Sequence, residues 1–324
     1  MDLFTHILFA YLLTFAIWGP TYPTYIAAGA LAGALPDADI LLYPLSRRFP
    51  IFRHHGITHS LLGVTIIALG GAILGPYLVP GLNGYLTFLA MEGGGLSHVF
   101  LDGFTHFSVP PLAPFSTKEL RLDADRAVNF ATMTMTLLSF FVLISERGAV
   151  PLHVWIVTAW VLVGVYGAYL VIRGAGRIQV QRLRRRDGYG GVIPTGNPRR
   201  WILVDESPGP GHYRIRWREY RWGTGYTTPE RALDVEAPPE IRPGPVETEG
   251  DALARSLPSI AKASRFLADS YRFAEVSRDE RGYEVFWYSL EFTTFGRAPG
   301  VLARVYAATG AVAVRTVWRS PRGT

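Results

Sequence analysis

Apolar residues in this chain come in long unbroken runs as far as Ile172 and in short alternating stretches afterwards. Six runs stand out: Leu3–Trp18, Tyr22–Leu35, Ser60–Val79, Tyr85–Leu101, Phe130–Ser145 and Pro151–Ile172. A helix needs about 20 residues to span a bilayer, and about 17 at the least. The third, fourth and sixth runs reach that length and the fifth nearly does. The first two are short, and fit a tilted or partly inserted hairpin as well as two full spans. The pattern predicts a mainly α membrane domain, a polytopic bundle of about six apolar helices. Gly29 and Gly33 form a small-xxx-small pair, and Gly93, Gly94 and Gly95 make a flat patch. Such residues let helix backbones approach closely in lipid.

Past Arg173 the period changes. Tyr213, Ile215 and Trp217 alternate with Arg214 and Arg216, as in a half-buried strand. Val285–Phe292 is rich in strand formers, and Val301–Ala307 and Ala311–Trp318 flank a Thr-Gly pair that reads as a hairpin. Between these, Leu253, Leu257, Ile260, Ala261 and Leu267 recur at helical spacing, while Ala237–Pro245 reads as a linker or extended loop. The division predicted is a transmembrane helical domain over 1–175, a basic juxtamembrane linker over 176–200, and a cytoplasmic, soluble α+β domain over 201–324.

Charge sharpens this picture. The formal net charge is +6, and all but two of the 32 basic residues are arginine. Much of that charge sits beside apolar runs: Arg47, Arg48 and Arg53, then Lys118, Arg121 and Arg126, then Arg173, Arg177 and Arg182 to Arg186. Juxtamembrane arginine is a topology signal and a contact for anionic lipid, so membrane lipid is the expected partner and nucleic acid is not. With six crossings these regions share one side, which the positive-inside rule makes the cytoplasm. The expected location is the inner membrane, multi-pass, with both termini cytoplasmic. Asp2 and His6 stand where a secretory signal would carry Lys or Arg, so the first run is read as retained. There is no cysteine, which excludes thiolate ligands and disulfides.

Six of the eight histidines fall before residue 107. Ionisable groups near lipid are costly and tend to be functional. Asp2 and His6 are four apart, as are His55 and His59, and His98 and Asp102, with His106 four further on. That spacing puts each pair on one helical face. Asp37 and Asp39 close the second run, and every one of these groups lies at an end on the same predicted side. Imidazole nitrogen with carboxylate oxygen suits a divalent Zn, Mn or Fe ion. His55, His59, His98 and Asp102 are the first-choice ligands, with Asp2 and His6 completing the site and Asp37 or Asp39 bridging metals or acting as general base. Plainer roles stand beside these. Asp2 suits a helix N-terminus, Asp37 and Asp39 suit a turn after Pro36, and His54 and His106 suit loop positions. Glu92 lies roughly 9 Å deeper than His98 at about 1.5 Å rise per residue, where it supports a ligand or pairs within the bundle. His153 and His212 are read as structural.

The order Asp-x-x-x-His, Leu-Pro-Asp-Ala-Asp, His-Gly-Ile-Thr-His-Ser and Leu-Ser-His-Val-Phe-Leu-Asp resembles the YdjM-like family, LexA-regulated inner-membrane proteins classed as metal-dependent hydrolases. The motifs span about residues 1–120. The resemblance implies that Asp2, His6, Asp37, Asp39, His55, His59, His98 and Asp102 match the family's polar positions. Where the family often has His-Arg-Gly this chain has Arg53-His54-His55-Gly56, so either His54 or His55 is the matching residue. The function expected is a membrane-bound metal-dependent hydrolase at the cytoplasmic membrane face, on an amphiphilic substrate such as a lipid or phosphoester. A metal ion transporter and a membrane scaffold or sensor with a structural polar cluster are the alternatives.

Overall fold

Polar residues set where each helix begins. A computed structural model describes residues 1–42, 55–105, 108–126, 128–209, 212–236, 245–263, 267, 271–290 and 297–321. Helix α1 (Leu3–Trp18) starts where the Asp2 carboxylate accepts from the Thr5 N–H, and it stops at Gly19, whose φ of 68° turns the chain away. Helix α2 (Pro23–Ala32) has proline in its first turn, where no N–H is needed. Ser60 caps α3 (Leu61–Leu78), Asn83 caps α4 (Gly84–Phe104) and Asn129 caps α5 (Phe130–Ser145), each side-chain oxygen taking an orphan backbone N–H. A long helix, α6 (Leu152–Arg186), follows. Two 3-10 turns, Leu35–Leu42 and Ile57–His59, lie between α2 and α3.

The chain divides into two compact units, Met1–Arg177 and Ile178–Thr324. In the first, α2 is pressed between α1 and α4 by glycine. A Cβ on Gly94 of α4 would lie 2.0 Å from the Gly29 carbonyl oxygen, and one on Gly29 would lie 2.2 Å from Thr14 Cγ2 of α1. At Gly33 it would meet Ala10 Cβ at 2.6 Å and the His6 carbonyl oxygen at 2.9 Å. These approaches bring the end of α2 against His6 on one side and α4 on the other.

The bundle of six membrane-crossing helices that the hydropathy predicts is not what forms. Among the described residues, only α3 and α6 are long and apolar enough to cross a membrane. Helices α1 and α5 have 16 residues each, about 24 Å at the helical rise and short of a hydrocarbon core of about 30 Å. Helix α2 has 10 residues. Helix α4 is long enough, but it carries Glu92, His98 and Asp102 along with five glycines, which leaves too little apolar character. The placement of both termini on the cytoplasmic side rested on counting six crossings, so it falls with that count.

Among its described residues the second unit holds two antiparallel sheets and a helix of its own, besides the last turns of α6. The first sheet runs β1 (Gly191–Pro194), β2 (Arg200–Gly209), β3 (His212–Arg221) and β4 (Gly225–Tyr226), with β5 (Arg231–Glu236) also pairing β3. After α7 (Glu249–Ala263), the second runs in sequence order: β6 (Phe273–Asp279), β7 (Gly282–Tyr288), β8 (Ala298–Tyr306) and β9 (Val312–Arg319). Register pairs Trp287 with Val301 and Val305 with Val312. Residues of both sheets and α7 share one core that includes Tyr213, Ile215, Ile260, Phe273, Phe286 and Trp287. The indole N–H of Trp287 donates to Ser256 Oγ of α7 at 2.8 Å, which satisfies a donor that burial would otherwise strand.

Candidate metal centre

Four elements bring donor atoms to one place in the first unit. His6 comes from the first turn of α1, Asp37 from the 3-10 turn after α2, His59 from the residue pair before α3, and His98 with Asp102 from the last turns of α4. One ligand atom each from Asp37, His59, His98 and Asp102 lies within 4.8 Å of the others. His59, His98 and Asp102 are buried, while the Asp37 side chain keeps 21% of its surface exposed.

His98 shows best what the arrangement requires. Its Nδ1 lies 2.8 Å from the Gly33 carbonyl oxygen, an acceptor with no proton to give, so Nδ1 must be the donor. A neutral ring then presents a bare lone pair at Nε2. That atom has no hydrogen-bond partner, and it faces Asp102 Oδ2 at 3.3 Å and Asp37 Oδ1 at 3.6 Å. Three lone-pair donors pointed at one another inside a protein repel unless a cation lies between them.

His59 sits on the other side of the same space. Its Nε2 is 3.4 Å from Asp37 Oδ1 and 3.5 Å from Asp102 Oδ2. Its Nδ1 is 3.4 Å from Asp39 Oδ2, and Asp39 also accepts from Thr58 Oγ1 at 2.7 Å. Asp39 therefore holds the ring from behind instead of facing the donor group, the usual way a carboxylate orients a ligating imidazole. Burial disfavours a charged His59, but the hydrogen bonds to Asp37 and Asp39 and the charge of Asp102 outweigh it and raise its pKa to about 9. Partial burial likewise works against the Asp37 carboxylate, yet His59 and the neighbouring imidazoles hold its pKa below the ordinary value. In both cases positive charge at this point is what the surroundings favour.

Asp102 is the hub. Its Oδ1 accepts from the Met1 amino group and lies 3.0 Å from His6 Nε2, and its Oδ2 faces His59 and His98. The His6 ring stacks on His98 with centroids 3.7 Å apart. His55, held at a left-handed φ of 60°, stacks on His59 at 4.4 Å and places Nδ1 3.7 Å from Asp102 Oδ2. Two of the sequence-derived candidates are elsewhere. Asp2 caps α1, accepting from Thr5 N and Thr5 Oγ1. Glu92 faces α3 and accepts from Thr65 Oγ1 at 3.0 Å. His54 and His106 lie outside the described residues.

Several participants left no trace in the spacing of titratable residues: the Met1 amino group, Thr58 and the Gly33 carbonyl. A second polar cluster was also missed. Asp125 Oδ1 accepts from Arg173 at 3.0 Å and from Asn129 Nδ2 at 2.6 Å, and Oδ2 accepts from Tyr169 OH at 2.8 Å. Arg173 is fully buried, so it is an internal counter-ion and not the membrane-surface charge that its position after an apolar run suggests.

No curated protein and no solved structure matches the chain. The family profile described as YdjM inner membrane protein matches residues 1–171, which contain every residue of the donor cluster. The chain belongs to the YdjM inner membrane protein family, and it is a membrane protein.

Proposed function

We propose that this protein is a membrane-bound metal-dependent hydrolase whose first unit holds a divalent cation among Asp37, His59, His98 and Asp102. The observation that carries the reading is His98: its Nδ1 is committed to the Gly33 carbonyl, and its buried Nε2 lone pair faces two carboxylates. His6 and His55 flank the group and are available to complete it or to hold a second ion. The donor set, imidazole and carboxylate with no thiolate, fits Zn, Mn or Fe.

A divalent cation bound there supplies Lewis acidity and an acidified water to a scissile bond. The chain's own groups divide the remaining work. Asp102 fixes His6 and anchors the His59 and His98 faces. Asp39 and Thr58 orient His59. Asp37 is the partly exposed member, so water and substrate reach the group past its carboxylate, and it is the residue placed to take a proton from an attacking water. His59 lies two residues before α3, which favours an amphiphilic substrate such as a lipid phosphoester.

Elemental analysis of detergent-purified protein tests the reading. Wild type is expected to carry near-stoichiometric Zn, Mn or Fe, while His98→Ala and Asp102→Asn lose it and Glu92→Gln keeps it. Hydrolysis of short-chain phosphoesters in micelles should follow metal content. Wild type without metal after reconstitution, or His98→Ala with a full complement, overturns the proposal. Metal-driven uptake into sealed vesicles without hydrolysis would replace it with a transporter.

A further inference from the structure

Between α4 and α5 the chain makes a loop whose tip is apolar and faces outward. From Val109 to Ser116 it reads Val-Pro-Pro-Leu-Ala-Pro-Phe-Ser, with no charged residue. Leu112 is 54% exposed and Phe115 is 84% exposed. The loop is firmly built. Val109 and Leu120 form an antiparallel bridge with backbone hydrogen bonds of 3.1 and 2.8 Å, and the Ala113 and Ser116 N–H groups donate to Pro110 and Leu112 carbonyls, each at 3.0 Å. A turn held by so many of its own hydrogen bonds keeps the two side chains out, where water would favour their collapse.

Two ties join this loop to the elements of the metal centre. The Leu122 N–H donates to the carbonyl of Gly103, the neighbour of Asp102, and the Leu61 N–H donates to the carbonyl of Pro111, both at 3.0 Å. Leu61 is also the first residue of α3, one of the two helices able to cross a membrane, and it is itself 45% exposed. The apolar tip is thus fastened at the level where that helix ends. Charge resumes just beyond it, with Lys118 and Glu119 exposed and Arg121 donating to Asp123 at 2.6 Å. An apolar tip over a charged base is the profile of a segment lying across the boundary between acyl chains and headgroups.

We propose that loop 108–122 is an interfacial wedge, with Leu112 and Phe115 inserted among the acyl chains of the leaflet in which α3 begins. The occupant of this apolar surface is lipid: the tip is tied to the end of a membrane-crossing helix, in a protein of an inner-membrane family. The inference stands independently of the metal, because it rests on the backbone ties and on exposure alone.

The absence of cysteine makes the test direct. Leu112→Cys, Phe115→Cys and, as a water-exposed reference on β9, Thr316→Cys are each labelled with a polarity-sensitive nitrobenzoxadiazole dye. The labelled proteins are reconstituted into vesicles of phosphatidylethanolamine and phosphatidylglycerol. The labels at 112 and 115 are expected to emit to the blue of the label at 316. They should lose intensity to nitroxides attached to acyl chains and resist aqueous iodide. Iodide quenching at 115 equal to that at 316 overturns the proposal, and shielding from both quenchers overturns it in favour of a protein contact. The dye is itself apolar, so Ser116→Cys is also labelled with Leu112 and Phe115 intact and with both changed to Asp. The blue shift must vanish in the Asp background; its persistence there refutes the wedge.

Discussion

In the first unit His6, His59, His98 and Asp102 are at most 1% exposed, while Ile66, Ile73, Tyr77 and Val171 each present more than half of their surface. In the second unit the assignment is reversed. Trp201, Tyr213, Tyr283 and Trp287 are buried, and the ion pairs Arg214–Asp234, Arg216–Asp205 and Arg304–Glu284 lie at the surface. Water cannot explain the first pattern. Lipid outside explains the apolar exterior, but it does not explain why so many ionisable groups are gathered within, since each one that carries charge there costs several kcal/mol to bury. A cation held among these groups, as proposed above, would offset that cost, whereas the second unit packs as a conventional domain with its ion pairs outside.

The sharpest way to break this contrast is to delete a carboxylate in each unit. Asp102→Ala strands the His6, His59 and His98 rings and the Met1 amino group around a cavity. Removing one member of a buried charged group costs about 3–5 kcal/mol, so a large fall in the melting temperature in detergent is expected, with loss of bound metal. Asp205→Ala removes one partner of Arg216, which keeps Glu230 and the Gly188 carbonyl, at a site where both side chains are more than a quarter exposed, and should cost about 1 kcal/mol or less. Equal losses would mean that the two environments are not different in kind.

A smaller effect separates packing from chemistry within the first unit. A methyl group on Gly94 would strike the Gly29 carbonyl at 2.0 Å, while one on Gly93 meets nothing within 4 Å. Gly94→Ala is expected to cost about 1–3 kcal/mol through overpacking. Because the same contact sets where Gly33 meets His98, metal affinity should fall as well. Gly93→Ala should be neutral or stabilise by up to about 1 kcal/mol through helix propensity. Thermal unfolding and metal content of the two variants side by side decide it.

These contrasts also show which parts of the structure sequence can reveal. The four-residue step from His98 to Asp102 survives into α4 because local spacing fixes which face a helical residue occupies. The strand alternation of Tyr213, Ile215 and Trp217 survives into β3 for the same reason. What failed was anything that depends on a distant partner. Arg173 reads as a membrane-surface charge until Asp125 is seen beside it, and Glu92 reads as a possible support for the site until Thr65 is. The Gly33 carbonyl is invisible in principle, since every residue has one and only packing selects which will meet His98. Span counting failed differently: a run such as Tyr22–Leu35 is apolar, but its helix ends at Ala32 and the 3-10 turn that carries Asp37 begins at Leu35.

In the second unit a single buried hydrogen bond gives the next test. Ser256→Ala leaves the Trp287 indole in place but deletes the Oγ that accepts its N–H at 2.8 Å. A loss of about 1–2 kcal/mol is expected in chemical denaturation of the second unit's signal. Metal content should not change. A variant that lost metal would tie the aromatic core to the polar centre and dissolve the division of labour argued above.

The smallest effect expected concerns Asp187, which accepts from Arg186 Nε at 2.7 Å and from the Tyr226 hydroxyl. The hydrogen bonds from Arg186 and Tyr226 hold its pKa below the ordinary carboxylate value. A carboxyl whose pKa is depressed by folding adds stability above its unfolded pKa of about 3.9, and that stability is lost as the pH falls through the folded value. Tyr226→Phe removes one donor and leaves Arg218 stacked on the ring, where its Cζ now lies 4.0 Å from the centroid. The folded pKa should therefore rise toward the ordinary value. Wild type is expected to exceed the variant by a few tenths of a kcal/mol at neutral pH, the scale of a solvent-screened surface contact. The gap should close as the pH falls through the folded value, below which both states bind the proton. A gap that stayed constant from neutral pH down through acid, to where the folded carboxyl is protonated, would assign the effect to packing of the hydroxyl and not to the charge of Asp187. The surface of the second unit would then owe less to electrostatics than its paired arginines suggest.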